Sequence, residues 1–552
     1  MFRKLILLFY TVRFLRPIQF HWRLFLKVKQ FFPFYDFVQK PVSIKVVSLS
    51  PCIDKHPSFS EKQFCFLNET VRADFPIAWN DARLSKLWLY NLHYFDYINQ
   101  SIIDSSIALD LMQDWVKHNL VVGIGNGWEP YTLSLRVVNW IKFFVRNDLQ
   151  TKNFPEIFRS LFLQARFLFG HLEYHLLGNH LFKNGVALVY LGAFFEGEEA
   201  RDWLQEGRKI IVGQIKEQVL VDGGHFERSP MYHVLILEDI LDCLNIAQNQ
   251  TFFSDIEINE LENRAVDMLG FLRDILHPDG EIPFFNDSAL HIAPLPADVF
   301  RYAGRLSLQC KVSEDFNLLS IIEKTNSGYF VLQNNLCKMI IDAGDIGPDY
   351  LPGHTHCDTL SYELSIKGRR CIVNSGTYQY AGEERNSFRA TSAHNTVRVD
   401  EAEQHEIWST FRVARRGYPF DISIKQNVGS ILFSAAHDGY RRLSGKPIHI
   451  RRIDFQSDTI LIKDTIEGQG VHLAESYIHL HPDVEIISFS DRRVVCKQDV
   501  NFFEIDVLEN LTVDMINGWY SPEFGVKKRN KVLVLRQQSV CPFSLVYKII
   551  VK

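Results

Sequence analysis

Two histidines and an aspartate fall within one short segment, GHTHCD, at residues 353–358. A strand is predicted over 360–366, and alternate side chains of extended backbone share one face. If the extended backbone begins at this segment, His354, His356 and Asp358 project together. Two imidazoles and a carboxylate suit a metal ion, or a general base with the group that orients it. A capped turn with solvated histidines is the simpler alternative.

A second cluster lies in residues 383–401, EERNSFRATSAHNTVRVDE. Arg385 and Arg389 are four residues apart and would form one cationic face if this segment is helical. Two such guanidinium groups could bind a carboxylate or a sulfate. His394 opens a strand predicted at 396–399, which a sandwich could place beside His356. A surface loop with incidental charges is the alternative.

Asn179 and His180 stand between two predicted helices. Asn179 is a natural N-cap, which alone would explain its presence. His180 would then lie in the first helical turn, where the positive end of the helix dipole disfavours an imidazolium. This placement predicts a neutral imidazole that can accept a proton.

Polar and aromatic residues also surround the start of a later helix, in DGGHFERSPMYH at 222–233. Pro suits the first turn of a helix, so Tyr232 is predicted near the N-terminus, where the dipole would stabilise a tyrosinate. Glu227 adds to the polar setting, although a lone tyrosine is commonly a core residue. In NGWEPY (126–131), Trp128 and Tyr131 could stack on a sugar ring, or could simply be packed.

The hydrophobic periodicity that must position these residues changes near residue 325. Before this point apolar residues recur at helical spacing. The predicted helices cover 108–119, 133–146, 156–172, 180–195, 200–220, 232–248 and 258–276. Several helices of similar length, joined by short polar turns, suggest an (α/α) toroid.

After residue 327 the period becomes two, in short segments separated by turn residues, which is typical of an antiparallel β-sandwich. The sequence therefore predicts a multidomain α+β chain. A basic extension and linker would cover 1–75, the toroid 76–322 and the β-sandwich 323–552.

The basic extension has an unusual charge pattern. Residues 1–31 hold seven Lys or Arg and no acidic residue. The apolar run at 5–10 is too short to span a membrane, and it is also short for the core of a signal peptide. One interpretation is an amphipathic segment that makes peripheral contact with an anionic membrane. The other is a first helix packed on the body of the protein.

Composition excludes several classes of protein. With 46% hydrophobic and 23% charged residues, the 552-residue chain has the composition of a folded globular protein. A formal net charge of −5 gives no global basic field, so nucleic acid is not an expected partner. The nine cysteines contain no CxxC pair, which argues against a disulfide framework and a structural zinc cluster.

The motifs taken in order resemble one family. They run W-E-P-Y…S-x-R, N-H-L-x-x-N, D-G-x-x-x-E-x-S-x-x-Y-H, G-H-x-H-x-D and R-x-x-x-x-H-N-T. This order is similar to that of the heparinase II/III-type polysaccharide lyases, which join an (α/α) toroid to an antiparallel β-sandwich. The resemblance covers roughly residues 80–460, and its most specific part is GHTHCD together with HNT.

The resemblance implies cleavage of a uronate-containing, acidic polysaccharide by β-elimination. In this family an Asn or His of the N-H motif meets the substrate carboxylate, which here is Asn179 or His180. The tyrosine of Y-H, here Tyr232, acts as base or acid. The first histidine of G-H-x-H, here His354, is the partner base. Substrate-binding positions are expected at Trp128, Tyr131, Glu227, Arg385 and Arg389.

Some members of the family hold a structural zinc. The second His of G-H-x-H and the His of H-N-T would supply His356 and His394. The third ligand is an Asp in the following strand, but the alignment places Asn374 there, and Asn is a poorer zinc ligand than a carboxylate. No cofactor is required for the elimination itself.

The cellular compartment stays open at this stage. Lyases of this type are usually exported, which favours the periplasm or cell envelope. The absence of a clear signal peptide makes the cytoplasm the alternative. Relatives without a signal peptide resemble proteins made alongside cell-surface polysaccharide.

Two other functions compete with a lyase. One is a non-catalytic glycan-binding or assembly protein on a lyase scaffold. The other is a metal-dependent hydrolase that uses HTHCD, which resembles the HxHxDH signature of metallo-β-lactamase-like enzymes. Thr359 replaces the last histidine of that signature, and its αββα fold does not follow a long helical region.

Overall fold

The helices lie mainly in the first part of the chain. The computed structural model describes residues 2–29, 31, 43–248, 250–309, 319–508 and 511–552, so Cys310 falls outside it. Among the described residues, the α-helices of the first part are α1 (Phe2–Val12), α2 (Pro17–Lys29), α3 (Lys86–Tyr94), α4 (Ser105–His118), α5 (Pro130–Arg146), α6 (Pro155–Phe169), α7 (Gly178–Phe194), α8 (Glu198–Gln218), α9 (Pro230–Ala247), α10 (Asp255–Ile275) and α11 (Pro296–Arg305). A short helix, α12 (Arg385–Arg389), lies among the strands that follow.

The seven helices predicted from periodicity are confirmed as α4 to α10, and each end lies within three residues of the prediction. Local capping explains where they begin. At α9, the Ser229 side chain accepts a hydrogen bond from the Tyr232 backbone N–H, and Pro230 occupies the first turn. At α10, Ser254 and Glu257 form a capping box. Closure of the helices into a toroid stays a prediction.

Strands dominate the rest of the chain. They are β1 (Phe59–Ser60), β2 (Gln63–Phe66), β3 (Glu69–Arg72), β4 (Ser320–Lys324), β5 (Tyr329–Gln333), β6 (Cys337–Asp342), β7 (Tyr362–Ile366), β8 (Arg369–Ile372), β9 (Val397–Val399), β10 (Ile407–Trp408), β11 (Arg412–Val413), β12 (Pro419–Asn427), β13 (Ser430–His437), β14 (Ile448–Gln456), β15 (Thr459–Glu467), β16 (Val471–His479), β17 (Glu485–Phe489), β18 (Arg493–Gln498), β19 (Asn501–Val507), β20 (Thr512–Tyr520), β21 (Lys528–Val540) and β22 (Phe543–Val551).

Three large antiparallel sheets build the C-terminal region, beside the two-stranded pair β10-β11. Their strand orders are β4-β5-β6-β7-β8, β12-β13-β14-β15-β22-β19-β18-β17 and β20-β21-β16-β9. Alternate residues of β15 are buried, as a half-buried strand requires. Leu364, Ile462 and Leu535, one from each sheet, belong to the same hydrophobic core. The helical region followed by antiparallel sheets confirms the predicted order of the two structural types.

Two features lie across or inside the predicted domain limits. Strand β4 spans the limit at 322. Strands β1 to β3 form a small sheet inside the predicted 1–75 extension. Phe64 and Phe66 of this sheet pack against Tyr97 and Trp88 of the helical region. This part of the extension therefore contributes to the helical core.

The helical and sheet regions meet along a packed seam. Phe271 and Ile275 of α10 share a small core with Tyr329 and Val331 of β5. The loop after α10 then lies on the sheet, where His277 Nε2 is 2.8 Å from a carboxylate oxygen of Glu363 on β7. Because burial destabilises the carboxylate, the pKa of Glu363 rises to about 7. This seam fixes the loop that leads into the candidate active site.

Buried ion pairs hold α9 in the helical region. Asp242 of α9 pairs with Lys142 of α5 at 2.5 Å, and Asp239 pairs with Lys183 of α7 at 2.7 Å. All four side chains are buried. Removing one partner of such a pair leaves a charge without compensation in the interior.

We expect Lys142→Ala to lower the free energy of unfolding by about 3–5 kcal/mol, because Asp242 then stays buried without its cation. Chemical denaturation followed by circular dichroism measures the change. The exposed pair between Arg201 and Glu198, 3.6 Å apart, provides the control. Arg201→Ala should cost less than about 1 kcal/mol. Equal losses in the two variants would contradict the assignment.

Candidate active site

A buried carboxylate, Asp287, binds both histidines of the GHTHCD segment. Its Oδ2 lies 2.9 Å from His354 Nδ1, and its Oδ1 lies 2.9 Å from His356 Nε2. Arg385 binds both carboxylate oxygens, with Nη2 2.6 Å from Oδ2. Burial opposes ionisation, but Arg385 and the imidazoles outweigh it and hold the pKa of Asp287 well below its usual value.

Asp287 lies in the loop after α10, and hydrogen bonds join this loop to the GHTHCD segment. The His356 backbone N–H donates to the Asn286 side chain at 2.9 Å, and the Asn286 backbone N–H donates to Asp358 at 2.7 Å. The Asp287 backbone N–H donates to the His354 carbonyl at 3.0 Å. Sequence analysis missed Asp287. The available signal was one acid in the short stretch PFFNDSAL at 283–290, where apolar residues flank the polar NDS.

The GHTHCD segment precedes the strand rather than opening it, because β7 begins at Tyr362. The predicted sharing of a strand face by His354 and His356 is therefore wrong. The two imidazoles converge for another reason, since both donate to the same carboxylate.

The Tyr232 ring packs against the His354 ring, and the two ring planes are tilted by 31°. Their ring centroids are 3.9 Å apart, and the Tyr232 hydroxyl lies 3.1 Å from that of Tyr380. Tyr232 is in the first turn of α9, as predicted. Burial and the neighbouring Tyr380 raise the pKa of Tyr232 well above its usual value, which opposes the stabilisation of a tyrosinate expected from the helix dipole. The phenol keeps its proton in this site.

Asn179 binds Glu227 rather than capping a helix. Its side-chain amide donates to the two Glu227 oxygens at 3.0 and 2.9 Å, and its backbone N–H donates at 3.0 Å. The cap position of α7 is Leu177, which corrects the N-cap interpretation. Glu227 is buried and lies 3.5 Å from His354 Nε2. Its predicted contact with substrate is wrong in this arrangement, because Asn179 occupies the carboxylate.

His180 is the more accessible member of the N-H motif, with 32% of its side chain exposed. Its Nδ1 lies 3.0 Å from Glu173, and its ring lies 4.4 Å from that of Tyr131. Burial opposes the imidazolium, but the Glu173 carboxylate outweighs it and raises the pKa of His180. The Glu173 carboxylate thus favours the charged form of His180, which opposes the effect of the helix dipole on which the predicted neutral imidazole rested.

Of the two aromatic residues predicted to stack on a sugar ring, Trp128 is buried and cannot contact one. Trp128 is 3% exposed and packs against Trp115 and Phe167. Its indole N–H donates to the Asn119 carbonyl at 3.1 Å. Trp128 is thus a core residue, whereas Tyr131 lies beside His180.

The predicted arginine clamp is also wrong. Arg385 and Arg389 do lie on one short helix, α12, but both side chains are buried. Arg385 is bound by Asp287. Arg389 donates to the carbonyls of Thr355 and Thr410, at 2.9 and 3.0 Å. Both guanidinium groups are buried and brace the site from within, and Nη2 of Arg389 is buried without a hydrogen-bond partner among the described residues.

A candidate metal cluster lies next to this network. His356, Asp358 and His394 each place one ligand atom within 4.8 Å of the others. His356 Nδ1 and both ring nitrogens of His394 have no hydrogen-bond partner although they are buried. Since Asp287 accepts from His356 Nε2, the free Nδ1 can present a lone pair. Two imidazoles and a carboxylate fit Zn²⁺.

Asn374 does not take the place of the expected aspartate. Its side-chain oxygen accepts from the Ser361 hydroxyl at 2.7 Å and from the Asn395 backbone N–H at 3.1 Å. Because the Asn395 backbone N–H is a donor, it must face the Asn374 oxygen and not the NH₂ group. The NH₂ group therefore points away from this donor, and it cannot bind a cation. We propose that Asp358 supplies the carboxylate. A bound zinc would then hold the GHTHCD segment in place through its ligands His356 and Asp358.

The chain matches one family along most of its length. Residues 78–301 match the heparinase II/III N-terminus, and residues 322–547 match the heparinase II/III-like C-terminal region. This match places GHTHCD in a heparinase-type scaffold. The alternative of a metallo-β-lactamase-like hydrolase therefore loses its basis.

Curated relatives include two kinds of protein. A heparin-sulfate lyase of Bacteroides stercoris is 29% identical over 52% of this chain and 48% of its own length. A heparin-sulfate lyase of Pedobacter heparinus is 28% identical over 58% and 49%. The FtsZ-localized protein C of Caulobacter vibrioides is 25% identical over 73% and 71%. The chain thus spans about half the length of the lyases that it matches.

Solved structures share the fold. A heparinase III structure has a TM-score of 0.68 at 16% identity, covering 86% of this chain and 79% of its own. The heparan sulfate lyase HepC mutant from Pedobacter heparinus has a TM-score of 0.59 at 20% identity, covering 89% and 81%. These likenesses confirm the fold class.

We expect the purified full-length protein to hold one equivalent of zinc and His394→Ala to lose it, because His394 offers a buried nitrogen without another partner. Elemental analysis after dialysis measures the content. His472→Ala is the control, since His472 pairs with Asp400 at 2.7 Å on β16. Asp358→Asn should also lose the metal. Retention of zinc in both His394→Ala and Asp358→Asn would rule out this cluster.

Proposed function

The chain belongs to the heparinase II/III family, and on this basis we propose that it is a polysaccharide lyase that cleaves an acidic, uronate-containing glycan by β-elimination. The main observation that supports this proposal is the packing of the Tyr232 ring against His354, whose Nδ1 is hydrogen-bonded to Asp287. The heparin-sulfate lyases among its relatives support this class of substrate. A role in cell-surface polysaccharide metabolism is part of the proposal.

The reaction needs a base, an acid and a cation. The base removes the proton at C5 of the uronate, and that electron pair forms the C4–C5 double bond. The bond from C4 to the glycosidic oxygen breaks, and the leaving oxygen takes a proton from the acid. A positive charge near the carboxylate stabilises the negative charge that develops as the C5 proton leaves.

His354 is the proposed base. Asp287 accepts a hydrogen bond from Nδ1, which places the proton on that nitrogen and leaves Nε2 with a lone pair. Nε2 lies 3.5 Å from Glu227, too far for a strong hydrogen bond. The imidazole is therefore oriented, and its basic nitrogen can reach a substrate proton.

Tyr232 is the proposed acid. Its raised pKa keeps the phenol protonated, and its hydroxyl partner is the phenol of Tyr380 rather than a carboxylate. Because the Tyr232 ring lies against His354, one bound sugar ring can meet both groups. This order assigns proton removal to His354 and proton donation to Tyr232.

His180 is the proposed cation for the substrate carboxylate. Glu173 favours its imidazolium, and part of the ring is exposed. The Asn179 amide nitrogen donates to both oxygens of Glu227, so Asn179 acts in the proposal as a positioning residue. Tyr131, beside His180, is the proposed aromatic contact for a sugar ring.

We expect Tyr232→Phe and His354→Ala to lower kcat/KM by at least about 100-fold, because each removes one proton-transfer group. Ultraviolet absorbance of the unsaturated uronate product gives the rate on a panel of acidic polysaccharides. Tyr418→Phe is the control, since Tyr418 is exposed and binds Asp349. Absence of the unsaturated product with every uronate glycan tested would refute the lyase proposal.

We expect kcat/KM to fall as pH rises through the pKa of His180, because only the imidazolium neutralises the substrate. That pKa is raised by Glu173, so the charged form is complete below the ordinary value and is lost above the raised one. Glu173→Gln should move the alkaline limb of the pH profile to lower pH, because the carboxylate that favours the imidazolium is gone. Glu206→Gln, which alters a partner of Tyr174, is the control. An unchanged limb in Glu173→Gln would contradict this role.

An assembly role is the second candidate. The FtsZ-localized protein C aligns with 73% of this chain, more than either lyase described above. In that case the scaffold positions a glycan or a partner without chemistry. Complementation of a deletion strain by Tyr232→Phe and His354→Ala together, with full biological function, would favour this candidate over the lyase.

A further inference from the structure

Helices α1 and α2 are packed firmly on the body of the protein. Gln19 is buried and its side chain donates to the Tyr350 carbonyl at 3.4 Å. Trp22 stacks on Tyr174 with 4.9 Å between ring centroids. On α1, the Thr11 hydroxyl accepts from the Trp408 indole at 3.0 Å. These contacts give the helix pair a fixed inner face.

The outer face of the pair is apolar. On α1, Leu5 and Phe9 are 57% and 64% exposed, with Leu8 one turn from Leu5. Spacings of three and four residues place these side chains on one side of the helix. On α2 the exposed apolar side chains include Leu24 and Phe25. Clustered exposed apolar side chains of this kind are typical of a contact site.

The same segment carries a concentrated positive charge. Residues 1–31 account for +7 of the formal charge and the rest of the chain for −12, which gives the net −5. Beneath α1 the basic field continues around a cavity of about 260 Å³. The charged residues that line this cavity are Arg13, Arg415, Arg416, Asp438, Arg441 and Arg442.

The combination of positive charge and exposed apolar surface indicates which kind of partner would bind this face. A second copy of the chain would bring another +7 against this face, which like-charge repulsion disfavours. A soluble acidic glycan would use the cations but would not cover the leucines and phenylalanines. An anionic lipid bilayer satisfies both, because its headgroups attract Lys and Arg while its acyl boundary takes apolar side chains.

We propose that the outer face of α1 and α2 docks the protein on an anionic membrane surface. The pair lies in the interface and does not cross it, since no helix in the described part of the chain is long and apolar enough to span a bilayer. Docking would use Leu5, Phe9, Leu24 and Phe25 together with Arg3, Lys4 and Lys27.

The inner face of the helix pair is connected to the candidate active site in two ways. Gln19 binds the carbonyl of Tyr350, four residues before His354. Trp408 binds α1, and Phe411, three residues further on, lies 6.5 Å from the His354 ring. A membrane held by α1 and α2 would therefore bring the site close to the lipid surface.

Vesicle co-sedimentation of the full-length protein tests the proposal. We expect binding to vesicles of phosphatidylcholine mixed with phosphatidylglycerol, little binding to phosphatidylcholine alone, and loss of binding at high salt. Replacing Leu5, Phe9, Leu24 and Phe25 together by Ser should weaken binding more than about tenfold. Replacing Arg3, Lys4 and Lys27 by Glu should abolish the preference for the anionic lipid.

A matched control replaces four exposed apolar residues outside the helix pair, Ile102, Ile256, Val428 and Val500, by Ser. This variant should bind vesicles like the unmodified chain, and circular dichroism should show all variants folded. Unchanged binding in the Leu5, Phe9, Leu24 and Phe25 variant would overturn the proposal. So would equal binding to both vesicle types, or light scattering that shows this variant losing self-association instead.

Discussion

The Asp287 carboxylate is the group on which the candidate active site depends. It joins three segments that are distant in sequence: the loop after α10, the GHTHCD segment and helix α12. One buried anion faces one guanidinium, that of Arg385, and accepts two imidazole N–H groups. Such an ion pair contributes little net stability relative to an apolar core, but losing one partner is costly. The site therefore tolerates few changes at this position.

The same carboxylate sets the proton positions on two histidines that face different tasks. It holds the Nδ1 proton of His354 and the Nε2 proton of His356. The free nitrogen of His354 then belongs to the Tyr232 side of the site, and that of His356 belongs to the His394 cluster. The proposed proton transfer and the proposed metal site are thus coupled through one acid.

Periodicity and motif spacing predicted much of the fold and grouped most of the site. Helices α4 to α10 follow from apolar spacing, because each must bury one stripe. Asp287 escaped prediction, since its contact with His354 spans 67 residues and the local sequence does not identify the partner of this acid. The prediction of an arginine clamp was wrong, because residue spacing places Arg385 and Arg389 on one helix but does not indicate whether that face of the helix is buried. The expected neutral state of His180 was based on the helix dipole alone, whereas its charge also depends on Glu173, which lies across a turn.

The packing of α2 against Tyr350 has a practical consequence for handling the protein. Trimming an apolar, basic leader is a common way to improve solubility. Here it would remove the hydrogen bond from Gln19 to the Tyr350 carbonyl and the contact of Arg16 with the Tyr350 ring, 3.8 Å away. It would also remove the ion pair between Arg16 and Glu217. A trimmed protein would dissolve more readily yet lose the brace under the loop that carries His354. Low turnover in such a sample would then report the trimming and not the chemistry.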